Sequence, residues 1–204
     1  TKNITLYAKW TEEPTETTEP ADWENPYEDV NKNDWFYDNV RYAEENGLFS
    51  GITSTTFEPN TAITRGMLVT VLWRAEEKPV VNYLMTFADV DEGEYYSEAV
   101  RWAASEQIVK GYSEEEFAPN KLITREEMAA IINRYADYKG IETVQTGDLT
   151  QFSDRAQISD WATENVSWAV GNGILSGKGE GILDPNGNTT RAETAAILQR
   201  ILEK

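Results

Sequence analysis

The chain has no cysteine and no histidine. Without cysteine there is no thiol nucleophile, no thiolate metal site and no disulfide framework. Without histidine the commonest general base and the commonest transition-metal ligand are missing. Positive charge is scarce: 18 Lys and Arg stand against 36 Asp and Glu, a formal net charge of -18. A chain this acidic is a poor partner for nucleic acid or an anionic membrane surface, and neither is expected to bind it. No run approaches the ~18 consecutive apolar residues of a membrane span. No phosphate-loop or dinucleotide glycine motif occurs. Carboxylates are so numerous that pairs such as Asp89 and Asp91 arise by chance and do not mark a glycosidase. Asp184-Pro-Asn-Gly-Asn lacks the spacing and terminal Glu of a calcium loop. The chain therefore reads as non-catalytic, without cofactor or metal.

What is present is a pattern written three times. Asp29, Asp89 and Asp154 align, and downstream so do Gly51, Gly111 and Gly177, then Pro59, Pro119 and Pro185. Each unit closes on Thr-Arg, at Thr64-Arg65, Thr124-Arg125 and Thr190-Arg191. Fixed internal spacing of this kind marks an internal repeat whose units are too small for a core of their own and share one. Each unit reads as helix, loop, helix. The first helix carries the stripe Phe36, Val40, Ala43, repeated as Tyr96, Val100, Ala103 and as Ala162, Val166, Ala169. Asn46-Gly47 and Asn172-Gly173 are helix stops. The second helix starts after a Thr N-cap, with Glu127 and Glu193 placed to complete capping boxes; Met67 stands there in the first unit and is expected to forfeit the box. Its apolar faces (Leu68, Val71, Leu72, Ala75; Met128, Ile131, Ile132, Tyr135; Thr194, Ile197, Leu198, Ile201) predict an all-α fold. In it, three tandem helix-loop-helix repeats surround a central three-helix bundle with pseudo-threefold symmetry.

Ahead of the repeats, residues 1–10 alternate Ile4, Leu6, Ala8 against Thr5, Tyr7, Lys9, a strand pattern. Ile4 to Trp10 resembles the closing strand of the β-grasp-like repeats of bacterial surface proteins, which implies a remnant of an upstream domain. No signal-peptide pattern opens the chain, so it reads as a piece of a longer protein. Residues 11–20 contain only Thr, Glu and Pro and form a linker. The expected division is strand 1–10, linker 11–24, and repeats at 25–80, 81–146 and 147–204.

Four sets of residues are candidates for chemistry. Arg65, Arg125 and Arg191 each open a helix, where the dipole disfavours a cation. Two readings are open: an anion site built with the helix N–H groups, or a salt bridge to Asp29, Asp89, Asp154 or a neighbouring repeat. The Asp residues either cap a turn or meet a ligand. Gly51, Gly111 and Gly177 either supply positive φ or admit a ligand to the backbone. Trp35, Tyr95 and Trp161 lie beside the loop, where they either pack or stack on a sugar ring; Tyr42, Trp102 and Trp168 abut the apolar stripe and are assigned to packing.

These residues together resemble a triplet of S-layer homology modules over about residues 25–204. The resemblance rests on Tyr27-Glu-Asp-Val30, Phe87-Ala-Asp-Val90 and Phe152-Ser-Asp-Arg155, on the Gly loop with Phe-x-Pro-Asn, and on Ile63-Thr-Arg-Gly-Met67, Ile123-Thr-Arg-Glu-Glu127 and Thr189-Thr-Arg-Ala-Glu193. It implies a three-pronged spindle, an extracellular place in the cell wall or S-layer, and non-covalent anchoring to secondary cell-wall polysaccharide. The implied ligand is a mannosamine-type sugar with a pyruvate ketal, held in grooves between modules by Arg65, Arg125 and Arg191. Asp29, Asp89 and Asp154 would bond sugar hydroxyls or orient the Arg, and Gly51, Gly111 and Gly177 would admit the ring. Glu127, Glu193, Trp35, Tyr95 and Trp161 complete the implied ligand set. Met67 and Gly66 depart from the family's Glu and Ala, which weakens the Arg65 site, and Arg155 weakens the third Asp site. The Arg125 groove is thus expected to bind best. An isolated module is expected to be monomeric. The competing reading is a protein–protein assembly module, suggested by an aromatic-rich surface and by the preference of Arg for interfaces.

Overall fold

A computed structural model describes residues 23–141 and 146–204. The expected strand at 1–10 and most of the linker lie outside the described residues. Among the described residues six α-helices run α1 Tyr37–Glu45, α2 Arg65–Ala75, α3 Ser97–Ser105, α4 Arg125–Lys139, α5 Thr163–Gly171 and α6 Arg191–Leu202. Short 3-10 turns at Leu149–Gln151, Arg155–Gln157 and Asp160–Ala162 lead into α5. The fold is all-α, as the periodicity predicts. No helix among the described residues is long and apolar enough to cross a membrane.

The helix boundaries follow from local chemistry. Thr64, Thr124 and Thr190 cap α2, α4 and α6 by accepting from the N–H groups of Met67, Glu127 and Glu193 at 3.2, 3.3 and 3.2 Å. Glu127 and Glu193 return the bond to the Thr124 and Thr190 N–H groups at 3.0 and 2.9 Å. The first repeat corrects the sequence expectation. Met67 Sδ lies 3.5 Å from the Thr64 N–H and stands in for the carboxylate as a weak acceptor. At the far ends of α1 and α5, Gly47 and Gly173 take φ of 65° and 69° just past Asn46 and Asn172.

The striped faces are buried in one continuous core. Val40, Val100 and Val166 are fully buried, as are Leu72, Ile132 and Leu198. The most extensive helix packing joins different repeats: α2 with α3, α4 with α5, and α6 back to α1. Asn133 Nδ2 donates to Asn165 Oδ1 at 3.0 Å across one such pair, and Asn39 Nδ2 to Gln199 Oε1 at 2.8 Å across another. The second helices therefore pack chiefly on the first helices of the following repeats rather than on one another.

What α2, α4 and α6 do share is a meeting point at their N-termini. Ile63 N–H donates to the Thr189 carbonyl at 3.0 Å, Thr189 to Ile123 at 3.0 Å, and Ile123 to Ile63 at 3.1 Å, closing a ring. One step on, the N–H groups of Arg65, Arg125 and Arg191 donate to Lys121, Gly187 and Thr61 at 3.0, 2.9 and 2.9 Å. Those of Gly66, Glu126 and Ala192 donate to Pro119, Pro185 and Pro59 at 2.8, 3.0 and 3.0 Å. The donors that a helix start leaves unpaired are satisfied by the loop of the next repeat.

That loop has its own clamp. Asp29 accepts from the Phe57 and Glu58 N–H groups at 2.8 and 2.7 Å, and Asp89 from Phe117 and Ala118 at 2.9 and 2.6 Å. Asp154 accepts from Leu183 and Asp184 at 2.9 and 2.7 Å. The second residue of each pair is a non-glycine held in the left-handed region: Glu58, Ala118 and Asp184, at φ of 59°, 58° and 57°. The carboxylate holds in place a backbone that opposes the residue's own preference.

Two outcomes are expected. Asp29→Ala strands two N–H groups and lowers stability by about 1–3 kcal/mol, whereas Ala118→Gly relaxes the left-handed residue and raises it by about 1 kcal/mol; urea unfolding midpoints measure both. Acid acts on the third loop. Burial would raise the Asp154 carboxyl, but the Leu183 and Asp184 N–H bonds and the Arg125 charge hold it below the ordinary Asp value. Its contribution is complete above the unfolded-state pKa of about 3.9 and drains as pH falls through the lower folded value. Midpoints recorded down the pH scale should fall more gently in that window for Asp154→Asn than for the parent.

Candidate functional site

The junctions between repeats form three equivalent grooves. Each is built from a second-helix Arg of one repeat, the Gly loop and second-helix face of the next, and an aromatic of the one after. The Arg191 groove, of about 160 Å³, includes Gly51, Met67, Arg74 and Tyr95. The Arg65 groove, of about 390 Å³, includes Gly111, Tyr112, Glu127, Arg134 and Trp161. The Arg125 groove, of about 320 Å³, includes Gly177, Lys178, Glu193, Arg200 and Trp35.

Arg65, Arg125 and Arg191 are buried, at 5%, 3% and 2% exposure. Each reaches across its junction and donates to two carbonyls of the neighbouring loop. Arg65 Nε and Nη2 bond Phe117 and Lys110 at 3.0 and 2.9 Å; Arg191 bonds Phe57 and Ser50, both at 2.7 Å. Arg125 Nε bonds Leu183 at 2.8 Å and its Nη2 bonds the Ser176 carbonyl. Arg65 stacks over Tyr112 and Phe117 at 4.7 Å, and Arg191 over Phe57 and Phe49 at 4.5 and 5.0 Å. Burial pushes the Arg125 and Arg191 guanidinium pKa values down, yet an Arg in protein keeps its charge.

The helix N–H groups are not free for an anion, because the next repeat takes those of the first two residues and the Thr cap takes the third. No salt bridge joins the three Arg to Asp29, Asp89 or Asp154; among the described residues, their one carboxylate partner within 4.0 Å is Glu193, 3.1 Å from Arg125 Nη1. The Asp residues clamp loops and do not line the grooves. Gly51, Gly111 and Gly177 do not have positive φ. A Cβ at Gly51 or Gly111 would strike loop carbonyls and the ring of Tyr27 or Phe87, and one at Gly177 the Ile182 carbonyl and the Phe152 ring. The aromatic of each Asp motif lies on the glycine from within, and the glycine backbone lines the groove.

Trp35, Tyr95 and Trp161 are 63%, 56% and 56% exposed and stand at the groove rims. Trp102 and Trp168 are buried and Tyr42 half-buried, in keeping with a packing role. Met67 lines the groove of Arg191, not that of Arg65, because a second helix faces the Arg of the preceding repeat. Arg65 instead shares its groove with Glu127. Burial would raise the Glu127 carboxyl, but bonds from the Tyr112 hydroxyl and Thr124 N–H, with the Lys121 and Arg65 charges, pull it below the usual Glu value.

A second arginine row escaped the sequence reading. Arg74, Arg134 and Arg200 sit about two and a half turns further along α2, α4 and α6 and donate to Leu48, Ile108 and Ile174 carbonyls at 3.2, 3.1 and 3.2 Å. Their signal was available, since they fall in the same register in all three repeats. With them, the lining of every groove carries a net of two positive charges: Arg74 and Arg191; Arg65, Lys110 and Arg134 less Glu127; Arg125, Lys178 and Arg200 less Glu193. The whole chain is at -18.

Comparison with known proteins agrees with the repeat register. The S-layer homology domain pattern matches residues 26–66, 86–129 and 151–195. An amylopullulanase of Thermoanaerobacterium thermosulfurigenes is 33% identical over 183 residues, covering 90% of this chain and 10% of that protein. A surface-layer 125 kDa protein of Lysinibacillus sphaericus is 30% identical over 167 residues, 80% of this chain and 14% of that protein. A cellulosome-anchoring protein of Acetivibrio thermocellus is 25% identical over 185 residues, 89% of this chain and 40% of that protein. The chain thus corresponds to a minor part of each of these longer relatives. With three matched segments, each spanning one Asp clamp, one Gly loop and one Thr-Arg helix start, the chain belongs to the S-layer homology domain family.

Proposed function

We propose that this chain is a non-catalytic anchoring module that holds an exported protein to the bacterial cell wall by binding secondary cell-wall polysaccharide. The ligand is a pyruvylated mannosamine-type sugar seated in inter-repeat grooves, its ketal carboxylate facing the guanidinium pair and its ring against the aromatic at the rim. Among these relatives, one is a surface-layer protein, one a cellulosome-anchoring protein, and one an amylopullulanase of which this chain matches only a small share. That pattern fits a mobile anchoring unit attached to varied cargo.

The observation that carries the reading is electrostatic. In a chain with twice as many acids as bases, five of the six groove arginines have no carboxylate within 4.0 Å among the described residues. A guanidinium left unpaired in such surroundings, with an exposed aromatic at the rim, is matched to an anionic sugar. Several weak grooves on one body facing a repeating polymer gain by avidity, about 10²-fold or more over one site. The surrounding negative charge keeps the rest of the surface off anionic wall polymers.

The second reading, docking to another surface protein, is favoured by Val80 and Leu84, each 87% exposed on the connection after α2. A monomer at all concentrations in sedimentation, together with glycan binding, would set it aside.

Calorimetric titration with wall polysaccharide, before and after chemical removal of its pyruvate, tests the proposal. Binding should fall by at least about tenfold without the ketal, the loss of a charge-assisted hydrogen-bond set. Arg134→Ala should weaken binding to the native polymer by a similar factor with little change in stability, since its guanidinium makes a single carbonyl bond in the fold. Undiminished binding to the pyruvate-free polymer would overturn the carboxylate mechanism, and no binding to either would overturn anchoring.

A further inference from the structure

The grooves share a frame and differ chiefly at the third position of the second helix and in what surrounds it. In the Arg191 groove that position is Met67, which brings no charge. In the Arg65 groove it is Glu127, whose Oε1 accepts from the Tyr112 hydroxyl and lies 3.4 Å from Lys121 Nζ. These two partners turn the carboxylate to one side, and it makes no ion pair with Arg65. In the third repeat Lys178 and Gly187 occupy the positions of Tyr112 and Lys121. Glu193 lacks both restraints, and its Oε1 sits 3.1 Å from Arg125 Nη1 and 3.6 Å from Lys178 Nζ. Nη1 is the edge that remains once Nε and Nη2 have bonded the Leu183 and Ser176 carbonyls.

We infer that Glu193 is a specificity-determining residue, an internal carboxylate that takes the Arg125 edge an acidic sugar would need. The Arg191 and Arg65 grooves then accept the carboxylate-bearing sugar, and the Arg125 groove accepts an uncharged one. The inference rests on the proposed polysaccharide reading and reverses the ranking expected from sequence. Its physical basis is like-charge exclusion. A ligand carboxylate entering the Arg125 groove would displace Glu193 and leave two carboxylates close together, with the Glu193 side chain only 16% exposed. An uncharged sugar meets no such barrier, because its hydroxyls donate to Glu193 and its face stacks on Trp35. In the Arg191 groove the reverse holds: Ile52 and Thr61 stand where the second repeat has Tyr112 and Lys121, and neither restrains a carboxylate introduced at position 67.

The test is calorimetric site counting with a short pyruvylated fragment of the wall polysaccharide, too small to bridge grooves, and with the same fragment freed of pyruvate. Glu193→Gln keeps a residue type that completes the capping box but removes the charge. Met67→Glu improves the cap while placing a carboxylate beside Arg191. The parent should bind two acidic fragments per chain, Glu193→Gln three, and Met67→Glu one. Met67→Glu should also unfold at higher temperature than the parent, so its lost site is not a folding defect. An unchanged site count in either variant overturns the role of the third-position carboxylate while leaving wall anchoring intact. Failure of the parent to bind the acidic fragment overturns the anchoring proposal itself, and the inference with it.

Discussion

Everything in this fold depends on donors that a repeat cannot satisfy by itself. A helix begins with N–H groups that have no partner within the helix, and leaving them unpaired in a buried junction is costly. Here the N–H groups of Arg65, Gly66 and their equivalents end on the Pro-Asn loop of the next repeat. The same Arg side chain adds two more bonds to that loop. Each repeat completes its predecessor, and the third is completed by the first. The ring through Ile63, Ile123 and Thr189 and the packing of α6 on α1 make the arrangement closed rather than open-ended. An open stack would leave one set of donors and one apolar face without a partner.

The grooves are a consequence of that closure. To receive an Arg from its neighbour, the loop must present two carbonyls in a fixed direction. The Asp clamp fixes that direction by binding the N–H groups beside one of them and holding Glu58, Ala118 or Asp184 in a left-handed conformation. The Gly lets the aromatic ring of the Asp motif close on the loop from inside. Once these parts are in place, the guanidinium retains an edge pointing into a depression whose far rim is an exposed aromatic of a third repeat. On the proposed reading, structure and recognition draw on the same arginine. The second row, Arg74, Arg134 and Arg200, is tied to the fold by one carbonyl bond each and carries less of the structural role.

Repetition of the frame leaves the lining free to diverge. Ile52, Tyr112 and Lys178 follow the three glycines, and Met67, Glu127 and Glu193 occupy the third helical position. The net positive charge of the lining is the same in every groove. What differs is whether a carboxylate is absent, turned aside or engaged with the Arg. Similar electrostatic attraction thus coexists with different local chemistry.

The amino-acid sequence by itself determined the repeat, the helices and the core. Their signals are local: a Thr cap, an Asn-Gly stop, and apolar residues at helical spacing around Val40, Val100 and Val166. It also picked out Asp29, Gly51, Arg65 and their equivalents, because repetition in register is visible without knowing the cause. The partners of these residues were decided only by the tertiary structure. Asp29 bonds a loop 28 residues away, Arg65 a loop 52 away, and Arg191 a loop 134 away. Met67 follows Arg65 by two residues yet lines the groove of Arg191, since a helix sends its first residue to one neighbour and its outer face to another. Sequence distance carries no information about such contacts. They arise because the chain closes on itself and each helix start must find its acceptors in the next repeat.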